Sequence, residues 1–95
     1  MKPYELRLRG KAKLALAEKV PAKFVDVVLY FIHGPLLENP RRVGKALDEP
    51  FLGCYSARRG DYRVIYLIDD QESRITVLDV SHRSHIYAVK LADRD

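Results

Sequence analysis

LGCYSARRGDYRVIYLIDDQESRITVLDVSH, residues 52–82, decides the fold, because it breaks into three short β-rich runs: Leu52–Arg58, Tyr62–Ile68 and Arg74–His82. Arg59-Gly60-Asp61 and the segment Asp69–Ser73 separate them. Neither connection is long enough for a crossover, so the spacing predicts two consecutive hairpins and an antiparallel meander. Within Tyr62-Arg63-Val64-Ile65-Tyr66 the period of two puts Arg63 on the face opposite Tyr62, Val64 and Tyr66. Closing the second hairpin symmetrically over residues 69–73 brings Arg63 opposite Asp79. Continuing the count places Asp79, Ser81 and Arg83 on the face that carries Arg63.

Upstream, Tyr4–Arg9 alternates strictly, with Tyr4, Leu6 and Leu8 on one side, and reads as a strand that joins the same sheet at an edge the pattern does not choose. Residues 11–19 are rich in Lys, Ala, Leu and Glu, which predicts a short helix ending near Val20. Pro21 suits the first turn of a second helix, in which Phe24, Val25, Val28, Leu29, Phe31 and Ile32 recur at three- and four-residue intervals until Gly34-Pro35 stops it. Leu36–Pro50 contains Asn39-Pro40 and a further proline, and reads as an irregular loop. The expected architecture is α+β, in the order βααβββ: a mainly antiparallel sheet packed on two N-terminal helices, with a short helical tail after Arg83.

At 95 residues the chain is expected to form one domain, residues 1–95, around a single core. An apolar fraction of 47% is ordinary for a globular protein and argues against disorder. Seventeen Lys and Arg against thirteen Asp and Glu give a net charge of +4, which favours polyanionic partners. Arg41, Arg42, Lys45, Arg58, Arg59, Arg63, Arg74 and Arg83 all follow the long apolar stretch, where they either form a solvated basic face or gather as a nucleic-acid surface. A lone Cys54 excludes an internal disulfide, and with three His it offers no zinc-ligand set. The N-terminus lacks the apolar region of a signal peptide, and no run approaches the roughly 18 apolar residues of a membrane span. A cytoplasmic protein without membrane contact is expected.

The sequence has no phosphate-cradling glycine loop, no HExxH and no recognisable nucleophile motif around its serines. That leaves Arg, Lys, Tyr and His, a set suited to binding phosphate and stabilising charge on its oxygens. Arg63 is open to two readings, an ion pair with Asp79 or a phosphate ligand. Tyr87, four residues after Arg83, either turns toward the same surface or covers one end of the core.

The stretch Gly53-Cys54-Tyr55-Ser56-Ala57-Arg58-Arg59-Gly60-Asp61-Tyr62-Arg63-Val64-Ile65-Tyr66, with His82-Arg83-Ser84-His85-Ile86-Tyr87 beyond it, resembles the RelE family of toxins. Residues 34–47, Gly-Pro-Leu-Leu-Glu-Asn-Pro-Arg-Arg-Val-Gly-Lys-Ala-Leu, share the likeness, which spans nearly the whole chain. The resemblance implies a ribosome-dependent endoribonuclease that cuts mRNA by attack of a 2′-hydroxyl on the adjacent phosphate, with no metal and no cofactor. Arg63 matches the arginine of the family's Tyr-Arg-x-x-Tyr pattern and would grip the scissile phosphate. Arg83 resembles the second family arginine, with a shorter spacing to the tyrosine, and would stabilise phosphate or leaving group. Tyr87 matches the C-terminal tyrosine, which stacks on a nucleotide or assists proton transfer.

Where the family often has two lysines, this chain has Ser56 and Arg58. Arginine stays protonated and is a poor base, so Arg58 is assigned to phosphate binding, and His82 or His85 is the candidate general base. Arg41, Arg42, Lys45 and Arg59 are candidate RNA-binding residues. The resemblance further implies a cognate RelB-like antitoxin, contact with the ribosome and mRNA, and operator DNA binding only through the antitoxin complex. Two rival readings keep the same fold: a ParE-like toxin that binds DNA gyrase, and a basic binding module without catalysis.

Overall fold

The computed structural model describes residues 4–82. Its order is β1 (Glu5–Leu8), α1 (Gly10–Leu14), α2 (Ala22–Phe31), α3 (Pro40–Val43), β2 (Lys45–Ala46), β3 (Tyr55–Arg59), β4 (Tyr62–Asp69) and β5 (Arg74–His82). The strands form one sheet in the order β1-β5-β4-β3-β2. β2 to β5 pair antiparallel, while β1 adds parallel to β5, with Leu6 beside Ile75. The α+β architecture expected from the sequence is the one observed, with β1 at the edge next to the last strand, while the short helical tail expected after Arg83 lies outside the described residues.

Helices α1 and α2 run on past their α-helical parts as wider π-helical turns, Ala15–Lys19 after α1 and Ile32–Leu36 after α2. The expected stop at Gly34-Pro35 is therefore not a stop. Pro35 lacks the N–H of an ordinary helical turn, and the widened turn carries the chain through it until Leu36 is fully buried. Leu36–Pro50 is likewise not wholly irregular. Pro40 occupies the first turn of α3, where its missing N–H costs nothing, and Lys45–Ala46 extends the sheet beside β3.

The helices cover one face of the sheet. Ala12, Val28, Phe31, Ile32 and Leu36 meet Ala57, Val64, Tyr66, Ile75, Val77 and Val80 in the main core. Burial of aliphatic and aromatic side chains at roughly 25 cal/mol per Å² makes this face the principal source of stability. On the other face a smaller cluster, Phe51, Cys54 and Ile65 flanked by Leu47, Leu67 and Leu78, lies under the segment that leads into β3. No helix among the described residues is long and apolar enough to cross a membrane.

Two local features set the strand positions. Gly60 has φ +63° at the first position of the two-residue turn between Arg59 and Tyr62, a conformation that costs a side-chain-bearing residue more. In β5, Ile65 pairs with Asp79 but Tyr66 pairs with Val77, so Leu78 is an extra residue without a partner, a β-bulge. The symmetric closure expected from the sequence fails at this bulge and at the turn, where Asp69 faces Arg74. Ser81, not Asp79, lies opposite Arg63.

Tyr66 ties α3 to the sheet. Its side chain is fully buried, and its hydroxyl donates to the Pro40 carbonyl at 2.6 Å. Burial pushes its phenol pKa upward, so it stays a neutral donor. Gly44 passes directly over this hydroxyl: a Cβ there would collide with Tyr66 Oη and approach the Ser56 carbonyl to 2.9 Å. Gly44→Ala is therefore expected to destabilise the protein by about 1–3 kcal/mol, through overpacking and loss of the Tyr66–Pro40 hydrogen bond. Urea denaturation measures this, and a midpoint equal to that of the unaltered protein would contradict it.

Candidate phosphate-binding face

The face of the sheet turned away from the helices carries two adjacent rows of side chains. One runs Arg58, Arg63, Ser81 across β3, β4 and β5; the next runs Lys45, Ser56, Ile65, Asp79 across β2 to β5. Neighbouring strands lie ~4.8 Å apart, and the rows, two residues along each strand, lie ~6.7 Å apart. The bulge at Leu78 makes this possible. Without it, Asp79 and Ser81 would point toward the helices, because a one-residue slip exchanges the faces of a strand.

Arg58 and Arg63 are directly opposite each other, a like-charge pair that by itself opposes sheet formation. Arg58 Nε donates to the Gly60 carbonyl at 3.3 Å, while Arg63 is partly exposed and its Nε is sheltered from solvent without a hydrogen-bond partner. Ser56 Oγ is in the same condition, in a residue only 8% exposed. Asp79 is 2% exposed and accepts from Ser81 Oγ at 2.8 Å. The ion pair between Arg63 and Asp79, one of the two readings open from sequence, is absent among the described residues, since the register places Ser81 opposite Arg63 and Asp79 one row further on.

A pair of arginines without an acidic partner among the described residues, one with an unsatisfied Nε and beside an unsatisfied serine hydroxyl, is arranged to receive an oxyanion. Such a ligand would screen Arg58 from Arg63 and accept hydrogen bonds from their planar forks. The apolar cluster around Ile65 and Phe51 borders this row and lowers the local dielectric, which strengthens attraction between guanidinium and phosphate.

The other candidates among the described residues divide among four places. Lys45 stands at the edge of this face, beside Ser56. Arg42 is exposed on α3. Arg41 is at the opposite end of the sheet, where it forms a two-pronged pair with Asp70 at 2.7 and 3.2 Å, and Tyr4 Oη donates to the same carboxylate at 2.6 Å. Arg59 lies on the helix side, its guanidinium 4.9 Å from the centre of the Phe31 ring. His82 is also on the helix side, edge-on to Tyr62 with ring centres 5.5 Å apart. Arg83, His85 and Tyr87 lie outside the described residues. Sequence reading passed over Ser56 and Ser81 as site members. The signal for Ser56 was present, two residues before Arg58 on one strand, and the period of two put Ser81 on this face, but the bulge that brings Ser81 directly opposite Arg63 leaves no mark in the pattern.

Comparison with known proteins gives consistent likenesses. A family model described as the ParE toxin of type II toxin-antitoxin system, parDE, matches residues 9–87. The toxin RelE of Mycobacterium tuberculosis is 41% identical over 85 residues, covering 90% of this chain and 87% of that protein. The toxin RelG of the same organism is also 41% identical over 85 residues, covering 90% of this chain and 97% of its own length. Among solved structures, the RelBE2 toxin-antitoxin complex of M. tuberculosis contains a chain of 40% identity with a TM-score of 0.81, covering 86% of this chain and all 100% of that one. The isolated E. coli RelE toxin, at 22% identity, TM-score 0.69 and 97% and 99% coverage, shares the fold.

Two measurements test the electrostatics described here. Arg58→Gln removes a like charge opposite Arg63 and is expected to stabilise the free protein by about 0.2–1 kcal/mol at low ionic strength, with the gain shrinking as salt is added. Denaturation at two salt concentrations reads this out, and a loss of stability at low salt would refute the repulsion. At the other end of the sheet, hydrogen bonds from Arg41 and then Tyr4 hold the Asp70 carboxyl below its ordinary pKa. A lowered folded-state pKa stabilises above the unfolded value and is lost as pH falls through the folded one. The unaltered protein should therefore exceed Asp70→Asn in stability near neutral pH, and the gap should close on acidification through the carboxylate range. A gap independent of pH would show that charge on Asp70 is irrelevant.

Proposed function

Because the chain belongs to the ParE toxin family of type II toxin-antitoxin systems, within the RelE/ParE superfamily, we propose that it is a ribosome-dependent endoribonuclease that inhibits translation by cutting mRNA. The observation that carries this reading is the Arg58–Arg63 row, two permanent cations on neighbouring strands that no acid side chain pairs among the described residues. Its likeness to relatives named RelE adds support.

The reaction follows from what such a row does. A 2′-oxygen of the bound strand attacks the adjacent phosphorus, the bond from phosphorus to the 5′-oxygen breaks, and a 2′,3′-cyclic phosphate and a free 5′-hydroxyl result. Negative charge on the non-bridging oxygens rises toward the transition state. Arg63 and Arg58, fixed on strands and flanked by an apolar wall, bind that charge without having to reorganise. Their contribution is electrostatic, as neither gives up a proton near neutral pH. Arg83 is assigned to the leaving group and Tyr87 to stacking on a base, which needs no ionisation. For proton transfer, His85 is the remaining candidate. His82, on the helix side against Tyr62, would have to act around the end of the strand. Lys45 and Arg42 would extend the contact along the phosphate backbone, a sequence-independent and salt-sensitive interaction. No resident metal is assigned a part.

A cognate RelB-like antitoxin is proposed as the regulatory partner, on the likeness to toxin chains solved in RelB-RelE complexes. Acidic side chains of such a partner would suit the Arg58–Arg63 row, and DNA would be met only through it. A second reading, a toxin that poisons DNA gyrase, is favoured by the ParE description of the matching family.

Expression of the chain and of Arg63→Ala in cells, with mRNA ends and plasmid supercoiling measured together, decides between them. Codon-spaced mRNA cuts that fall at least a hundredfold in the variant, about 2.7 kcal/mol of lost transition-state binding, are expected. Intact mRNA with altered supercoiling would establish the gyrase reading instead.

A further inference from the structure

Among the described residues, two side-chain polar atoms are shut away from solvent with no hydrogen-bond partner, Ser56 Oγ and Arg63 Nε. They share a face. Ser56 pairs with Ile65 and Arg63 stands two residues before Ile65 on β4, so the two side chains are diagonal neighbours, a placement that long side chains span. Each group alone is a cost to the folded state, because a buried donor deprived of water loses its solvation without return. No hydrogen bond joins the two, so neither relieves the other. One acceptor oxygen between them would satisfy both.

We infer that Ser56 is a phosphate-binding residue: its hydroxyl and Arg63 Nε donate to the same phosphate group of a bound RNA strand. This inference rests on the ribonuclease reading for the identity of the strand, and on geometry for the anion. The Arg63 fork offers Nε–H and a terminal N–H side by side, which fits two oxygens of one phosphate, and Ser56 supplies a third donor from the adjacent strand. Arg58, opposite Arg63, closes the far side with its charge. Lys45, directly across from Ser56 on the edge strand, stands where a neighbouring phosphate of the same strand would pass. The opening exists because Arg63 is itself only partly buried. The serine thereby has a function of its own at this position: it is neutral and short enough to lie beside two arginines without adding a third charge.

The inference predicts a pairing of effects that a merely structural serine would not produce. In Ser56→Ala the orphaned hydroxyl disappears, so the melting temperature of the free protein is expected to stay the same or rise. Affinity for inorganic phosphate, followed by NMR titration of the purified chain, should fall about tenfold, the usual worth of a hydrogen bond to a charged group. Arg63→Lys, which keeps the charge but has no Nε–H, should weaken phosphate binding as well. A short RNA with a 2′-deoxy substitution at the cutting point should lose comparable affinity for Ser56→Ala, and mRNA cleavage in cells should fall in parallel. Unchanged affinity of Ser56→Ala for both phosphate and RNA would overturn the inference, whatever its stability. If the unaltered chain cuts no mRNA, the ribonuclease reading falls, and the phosphate titration still decides the role of Ser56.

Discussion

One unpaired residue, Leu78, governs which side chains of β5 face the helices and which face the basic row. Before it, Ile75 and Val77 point into the main core. After it, Val80 does so again, three residues on instead of the two or four a regular strand would give, and Asp79 and Ser81 turn to the side of Arg63. Leu78 itself packs with Ile65 and Phe51 on that second face. The bulge thus satisfies two demands at once: uninterrupted apolar contact under the helices, and a polar end to the outer face. A regular strand that kept Leu78 in the ladder would turn Asp79 toward the helices and bury a carboxylate there, a far greater penalty than one lost ladder hydrogen bond.

The outer face is divided by the same logic. Toward the β4–β5 turn it is covered by Phe51 and Cys54 and makes a second, small core. Toward the β3–β4 turn it is left open, and there the arginines gather. The covered half keeps β4 rigid where Arg63 leaves it, and a side chain on a rigid strand retains little freedom to lose when it meets a ligand. The open half accepts charge repulsion and unsatisfied donors that a face built only for stability would not contain. Stability is concentrated on one side of the sheet so that the other can be left in deficit.

Much of this was legible in the sequence, and the reasons differ from element to element. The meander was evident because Gly60 and the polar run at Asp69–Ser73 punctuate apolar alternation, and period two alone assigned Arg63 to the outer face. The helix end at Pro35 was misread because a π-helical turn leaves no signature that separates it from a stop. β2 is only two residues long and owes its place to the close passage of Gly44 over Tyr66, a tertiary constraint that no local propensity expresses. The register over-extended a symmetric hairpin across a bulge. It still put Asp79 and Ser81 on the right face, since the shifted turn and the extra residue together displace the pairing by two positions, which preserves parity.

Charge was the least legible feature, because a count of cations says nothing about which are already matched. Arg41 and Arg74 face Asp70 and Glu5, and Arg59 rests on the Phe31 ring, so these three hold the fold's own groups. Arg58 and Arg63 differ in kind. They stand opposite each other on a face whose one buried carboxylate, Asp79, is engaged by Ser81. A modest net charge of +4 is therefore compatible with an anion-seeking site, because attraction follows from cations without an acidic partner, as these two are among the described residues, and not from their total. Arginine in both places also makes the attraction insensitive to pH across the physiological range, so the row serves as a fixed electrostatic platform. On the proposed ribonuclease reading, proton transfer then falls to a group other than the two arginines, because a guanidinium binds charge but is a poor base.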